Sequence, residues 1–296
     1  MIGQLMLGPL LLAVGAGAAL LRLRAARRTE RAYASVRPPG ADGVVSGAEG
    51  FTLLGSTSRA LLLLHGFGDT PQTLRYLGGR LHAAGFTVRA PLLPGHGRGL
   101  RDFAAASAED YASAARAELA RLGEEASWVG VVGLSMGGAI AARLVAEAED
   151  DVRVLVLLAP YLTPPRTVAL LGRTSALLSM AVPYLGGRGG ESSVHDPVAR
   201  AESFAYGVFP PRAVRALCST AAAGRRALPS ISLPTLVVNS REDNRIPYAL
   251  AETATASLAG PTERRWVTGC GHVITVDYCR DVVADMVLDF LARHAD

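Results

Sequence analysis

Apolar residues along this chain fall into short blocks separated by Ala-rich stretches of helical spacing. Leu61-Leu-Leu-Leu-His65, stopped by Gly66, is a continuous apolar run of the kind a strand buried on both faces requires. Gly85 to Pro91, Trp128 to Leu134, Val152 to Ala159, Thr235 to Ser240 and the short Arg264 to Val267 read as further strands. Helical stretches fill the intervals: one reaching Ala84, one from Ala106 to Leu122, one beginning after Ser135, and a closing amphipathic helix from Asp281 to His294. Strand and helix alternating in this way predict an α/β domain, with right-handed crossovers and a mainly parallel sheet covered by helices on both faces.

The alternation breaks between Ala159 and Leu233. That interval holds Pro164, Pro165, Pro183, the run Gly-Gly-Arg-Gly-Gly at 186–190 and several Ala/Leu patches, Pro211 to Ala223 among them. A long insertion emerging from a strand end is usually functional, and residues 160–232 are expected to form a small helical lid.

Residues 1–21 contain no charged side chain, and six arginines against Glu30 alone follow between Leu21 and Arg37. A helix of that length spans roughly 30 Å, enough for a hydrocarbon core. Positive charge after the apolar run, rather than before it, favours an uncleaved anchor over a signal peptide. The expected division is an anchor (or signal) at 1–24, a basic and Gly/Pro-rich linker at 25–50, and the α/β domain with its lid insertion at 51–296. The arginine cluster predicts a membrane-anchored protein with its domain in the cytoplasm. Cleavage near Gly15 to Ala18, giving a secreted or periplasmic protein, is the alternative.

The net charge of +4 comes from this amino-terminal cluster, so the body is not basic and no nucleic-acid partner is expected. Cys218, Cys270 and Cys279 are odd in number and lack Cys-x-x-Cys spacing. They are expected to be unpaired and not to bind zinc, which suits a cytoplasmic location. With no phosphate loop and no His-Glu-x-x-His pattern, neither a cofactor nor a metal is expected.

The chemistry centres on Gly133-Leu-Ser-Met-Gly137, placed between a buried strand and a helix. A turn that sharp admits no side chains on its flanks, and it holds the Ser135 hydroxyl above the sheet. A serine needs a base, itself oriented by a third group. His272, in a Gly-flanked loop between the last strand and the last helix, is the candidate base. Asp243, in the turn after Thr235 to Ser240, is the candidate acid, preferred to its neighbour Glu242. Asp277, near His272, is the runner-up for the acid and is read in the first place as a cap for the last helix. His65 and His96 are read as structural. The backbone N–H groups of Phe67 and Met136 are the candidate oxyanion hole.

Taken in order, His-Gly-Phe at 65–67, Pro-Gly-His-Gly at 94–97, Gly-Leu-Ser-Met-Gly-Gly at 133–138, the Asp243 turn and Gly-His-Val-Ile-Thr-Val-Asp at 271–277 resemble the α/β-hydrolases. Within that fold they are similar to bacterial carboxylesterases and monoacylglycerol lipases with a compact lid. The resemblance runs from about Ala60 to the carboxyl terminus. It implies the triad Ser135, Asp243 and His272, the oxyanion donors Phe67 and Met136, and ester hydrolysis through an acyl-enzyme. The Ala/Leu-rich lid patches, an apolar wall with little to recognise charge, predict a carboxylic ester or lipid of short to medium acyl chain, monoglycerides among them. A cofactor-free haloperoxidase or perhydrolase with the same triad, or a non-catalytic binding protein on the fold, are the rival readings.

Overall fold

The computed structural model describes residues 7–186 and 193–294, the side chains of 7–14 excepted. A long helix, α1 (Leu7–Val36), precedes an edge strand, β1 (Phe51–Leu53). There follow β2 (Arg59–Leu64), α2 (Arg75–Ala83), β3 (Thr87–Ala90), α3 (Leu100–Ala105), α4 (Ala108–Glu125), β4 (Trp128–Leu134), α5 (Met136–Glu147) and β5 (Val154–Leu158). The interval before the next sheet strand holds α6 (Arg166–Ala181), β6 (Leu185–Gly186), α7 (Pro197–Glu202), β7 (Val208–Phe209) and α8 (Pro211–Ala227). The chain closes with β8 (Thr235–Ser240), α9 (Tyr248–Ala254), β9 (Thr262–Val267) and α10 (Arg280–His294).

Seven strands form one sheet in the order β1-β3-β2-β4-β5-β8-β9, parallel throughout except for the antiparallel pairing of β1 with β3. Successive side chains of a strand point to opposite faces, and here the alternation divides the interior in two. Leu62, Leu64, Val129, Val131, Leu155 and Leu157 pack with α4, α5 and α8. Leu61, Leu63, Val132, Leu134, Val154 and Val156 pack with α2 and α10 on the other face. A strand buried on both sides must be apolar at every position, which is why β2, β4 and β5 stand out in the sequence.

The strand β1, three residues with an exposed centre, carries no such signal. The helix α1 does not stop at the arginines but continues through them to Val36, into the stretch expected to be linker. Among the described residues, no helix is long and apolar enough to cross a membrane. The uncharged run expected to do so falls largely on residues 1–14, whose side chains lie outside the described residues.

Candidate active site

Ser135 joins the end of β4 to the start of α5 with φ 55° and ψ −116°, a region that L-residues rarely occupy. Two glycines make the turn possible. A Cβ on Gly137 would lie 2.0 Å from the Leu64 carbonyl oxygen, and one on Gly133 would lie 2.3 Å from that of Gly137. The bend is pinned from β5, where the Leu158 carbonyl accepts the Ser135 N–H at 2.9 Å and the Ser135 carbonyl accepts the Tyr161 N–H at 2.9 Å. Ala159, between them, is also held at positive φ, 42°. Strain of this kind persists only where surrounding structure over-determines it.

His272 comes from the loop between β9 and α10. Its Nε2 lies 2.7 Å from Ser135 Oγ, and its Nδ1 lies 2.7 Å from Asp243 Oδ2. An ionised carboxylate only accepts, so Nδ1 carries the proton and Nε2 is left to accept the Ser135 hydroxyl. Asp243 is held in place by its other oxygen, which accepts the Arg245 N–H at 2.7 Å and the Ile246 N–H at 2.9 Å. Burial works against ionisation of Asp243, but the field and hydrogen bond of His272 and those two N–H groups outweigh it, holding the carboxyl below its ordinary range. Glu242 faces elsewhere, accepting the Gly269 N–H.

Phe67 lines the same cavity as Ser135 and His272. Gly66 beside it runs so close to the elbow that an added Cβ would meet the Ser135 Cβ at 3.4 Å. Met136 begins α5, and the first N–H groups of a helix have no intrahelical acceptor. His65 and His96 lie in the interior. His65 Nδ1 donates to the Gly66 carbonyl while its Nε2 accepts the Leu93 N–H, which ties the oxyanion-side loop to the one after β3. Burial lowers both imidazoles, His96 to about 4, so both are neutral.

Asp277 does more than sit ahead of the last helix. Its buried carboxylate accepts the N–H groups of Gly271, Tyr278, His195 and Asp196 at 2.7 to 2.9 Å, joining the His272 loop to the chain entering α7. The expectation of three unpaired cysteines is corrected. Cys270 and Cys279 form a disulfide with Cα atoms 5.9 Å apart, and only Cys218 is free among the described residues. The loop doubles back around Asp277, so nine residues of separation become direct contact, and spacing alone does not reveal this. The bridge brackets His272, and it removes the cysteine argument for a cytoplasmic location, since disulfides persist in oxidising compartments.

The cavity above Ser135 has a volume of about 570 Å3 and walls that include Val168, Leu171, Phe209, Val214, Leu217 and Val276. Asp69 and Arg245 also face it. The sequence reading missed both, although Asp69 lies two residues past Phe67 and Arg245 two past Asp243. Asp69 is pushed up to about 6 by burial, against the opposing hydrogen bonds of Thr70 and Thr73 and the field of His272.

Comparison with known proteins gives the family and the fold. The family model described as "Serine aminopeptidase, S33" matches residues 55–278. The thermostable monoacylglycerol lipase of Bacillus sp. (strain H-257) is 29% identical over 254 residues, covering 85% of this chain and 97% of the relative. The carboxylesterase of Bacillus subtilis (strain 168) is 28% identical over 246 residues, covering 82% and 96%. Among solved structures, one from the metagenome-derived lipolytic enzymes LipS and LipT superposes with a TM-score of 0.77 at 27% identity, over 85% of this chain and all of its own. The Paleococcus ferrophilus monoacylglycerol lipase shares the fold, with a TM-score of 0.71 at 18% identity over 83% of this chain and 98% of its own.

Proposed function

The chain belongs to the serine aminopeptidase S33 family on the α/β-hydrolase fold, and from its place there as a serine ester hydrolase we propose that Ser135 is the nucleophile, His272 the general base and Asp243 the orienting acid. The observation that carries this assignment is the unbroken relay Asp243–His272–Ser135, with two contacts of 2.7 Å on the floor of an apolar cavity. Ser135 Oγ attacks the ester carbonyl as its proton passes to His272 Nε2. The N–H groups of Phe67 and Met136 receive the developing oxyanion. Collapse of the tetrahedral intermediate expels the alkoxide, which takes the proton back from His272. Water, deprotonated by the same imidazole, then frees the acid from the acyl-enzyme. Asp243 keeps the Nδ1–H tautomer in place and stabilises the imidazolium in both halves.

The substrate we assign is a carboxylic ester with a short to medium acyl chain, monoacylglycerols included. The apolar walls and the names of the relatives support it. An ester panel of graded chain length, combined with a serine-directed phosphonate, tests the reading. Hydrolysis, with labelling lost in Ser135→Ala, is the expected result. Turnover dependent on peroxide without ester hydrolysis, or labelling that survives Ser135→Ala, would overturn it.

For the amino terminus, our reading is attachment to a membrane by residues 1–21, supported by their lack of charge and by the arginines that follow. Fractionation of cells and sequencing of the mature amino terminus test it. A soluble protein beginning near residue 19 would refute it.

A further inference from the structure

The helix α1 lies outside the 55–278 stretch that the family model matches, yet it is fastened to the roof of the cavity. Its single acidic residue, Glu30, accepts the Tyr184 hydroxyl at 2.7 Å and is gripped by Arg101, with Nε at 3.0 Å and a terminal guanidinium nitrogen at 2.9 Å. Further contacts flank it. Arg22 Nε donates to the Ser179 carbonyl at 2.9 Å, and Arg37 donates to the Ser203 carbonyl at 2.6 Å while its guanidinium sits 4.6 Å above the Phe204 ring. Tyr33 packs on Tyr206 with ring centroids 5.0 Å apart.

What these contacts hold is a small and otherwise weakly supported piece of structure. Tyr184 leads directly into β6, whose two residues, Leu185 and Gly186, both face the cavity. The partner strand β7 is also two residues long, and pairs Leu185 with Phe209 and Gly186 with Val208. An isolated ribbon of that size has no independent stability in water. The Phe209 ring stacks on Phe67 at 5.5 Å, so the ribbon meets the loop assigned to the oxyanion hole. Tyr33, Tyr184, Phe67 and Phe209 border one cluster around Phe103 and Tyr206, which links α1 to the cavity wall through packed rings.

We propose that Glu30 is a positioning residue for the active-site cavity: by holding Tyr184 and Arg101 it sets the β6/β7 ribbon, and so fixes which esters the cavity accepts. The inference rests on the ester-hydrolase reading above. The pair is well made for the purpose. Burial opposes ionisation of Glu30, but the hydrogen bonds of Arg101 and Tyr184 prevail and keep its carboxyl below the ordinary value. Burial and that carboxylate raise the Tyr184 phenol, so it remains a donor at any working pH. Loss of either partner leaves Ser135, His272 and Asp243 untouched, since the first and last follow buried sheet strands and His272 stands in a loop held by Asp277. What moves is the wall, and with it the fit of esters large enough to reach Leu185 and Phe209.

The test uses the full chain and three variants, Glu30→Ala, Tyr184→Phe and the double change, with p-nitrophenyl esters from acetate to decanoate and the phosphonate probe. KM for the longer esters should rise roughly three- to tenfold in each single variant, the scale of one lost charge-assisted hydrogen bond. kcat/KM for acetate and the rate of phosphonate labelling should stay within about twofold of the unaltered protein, because both report the triad rather than the wall. The double variant should be no worse than Glu30→Ala, which already removes the Tyr184 contact along with that to Arg101. An equal loss on acetate and decanoate, or additive losses in the double variant, would overturn the proposal. If Glu30→Ala fails to fold, Tyr184→Phe, which removes only a hydroxyl, decides alone. Absence of labelling in the unaltered chain would instead sink the assignment of Ser135.

Discussion

On the floor of the cavity, Ser135 follows the last residue of β4, Asp243 stands three residues past β8, and His272 stands in the loop leaving β9. The strands β4 and β8 are buried at every position, so two of the three groups are fixed by the sheet itself. The roof is built otherwise. Between β5 and β8, two-residue strands and a six-residue helix hang from side-chain bonds: Asp277 to the chain entering α7, Glu30 to Tyr184, Arg37 to Ser203. The floor gains precision from cooperative secondary structure, the roof from a few polar contacts that can each be cut. The difference predicts that floor substitutions change the rate of the chemical step, whereas roof substitutions change which substrate reaches it.

The sharpest way to break this comparison is at the floor. Ser135→Ala should lower kcat by on the order of 10³ or more while the protein stays folded, with residual turnover left to the oxyanion donors and the cavity. Kinetics with a soluble ester and a thermal melt check both halves. Asp243→Asn should cost about 10² to 10⁴ in kcat, because an amide in place of Oδ2 favours the wrong imidazole tautomer. Glu242→Gln should leave kcat within about threefold, since that carboxylate accepts the Gly269 N–H and the Ser240 hydroxyl rather than the imidazole. A crippled Glu242→Gln beside a mild Asp243→Asn would reverse the two assignments.

Much of the floor was legible in the chain because its requirements are local. Four of the sheet strands are apolar runs, the elbow needs glycine where Gly133 and Gly137 stand, and His272 lies between its glycine and the last helix. The roof was not, because its parts are specified by distant partners. Nothing near Tyr184 announces Glu30, 154 positions away. The positive φ of Ala159 answers to the elbow that it touches, not to its own neighbours. The Cys270–Cys279 bridge depends on a turn closed by Asp277, whose carboxylate partners include His195 and Asp196 from across the molecule. The strand β1 pairs at an edge with one half-buried face, too short for its alternation to register.

The His272 loop belongs to the floor but borrows a covalent staple. Closing so short a loop stabilises the folded state by about 2 to 3 kcal/mol in the chain-entropy account. The double change Cys270→Ser/Cys279→Ser should therefore lower stability by about that amount in urea unfolding. If the hydrogen bonds of Asp277 position His272, kcat well below the melting temperature should change less than about threefold. A collapse of kcat at full folding would show that the bridge, rather than Asp277, sets the imidazole.

The smallest expected effect lies at Asp69, where floor and wall meet. Its carboxyl sits at about 6 in the folded protein against an ordinary 3.8. Between about pH 4 and 6, the folded chain therefore holds a proton that the unfolded chain has lost, and stability attributable to this group falls as pH rises through that window. A shift of that size corresponds to at most about 3 kcal/mol above pH 6. Asp69→Asn removes the charge and keeps an oxygen for the Thr70 N–H, which the native carboxylate accepts at 2.9 Å. The variant should match the unaltered protein near pH 4 and exceed its stability by on the order of 1 kcal/mol at pH 8, the remainder being lost with the stronger hydrogen bonds of a carboxylate. Urea unfolding at the two pH values measures the difference. A variant less stable at pH 8 than at pH 4, relative to the unaltered chain, would mean that Asp69 is ionised at low cost, and that the loop after Phe67 is built to hold a charge at the cavity wall.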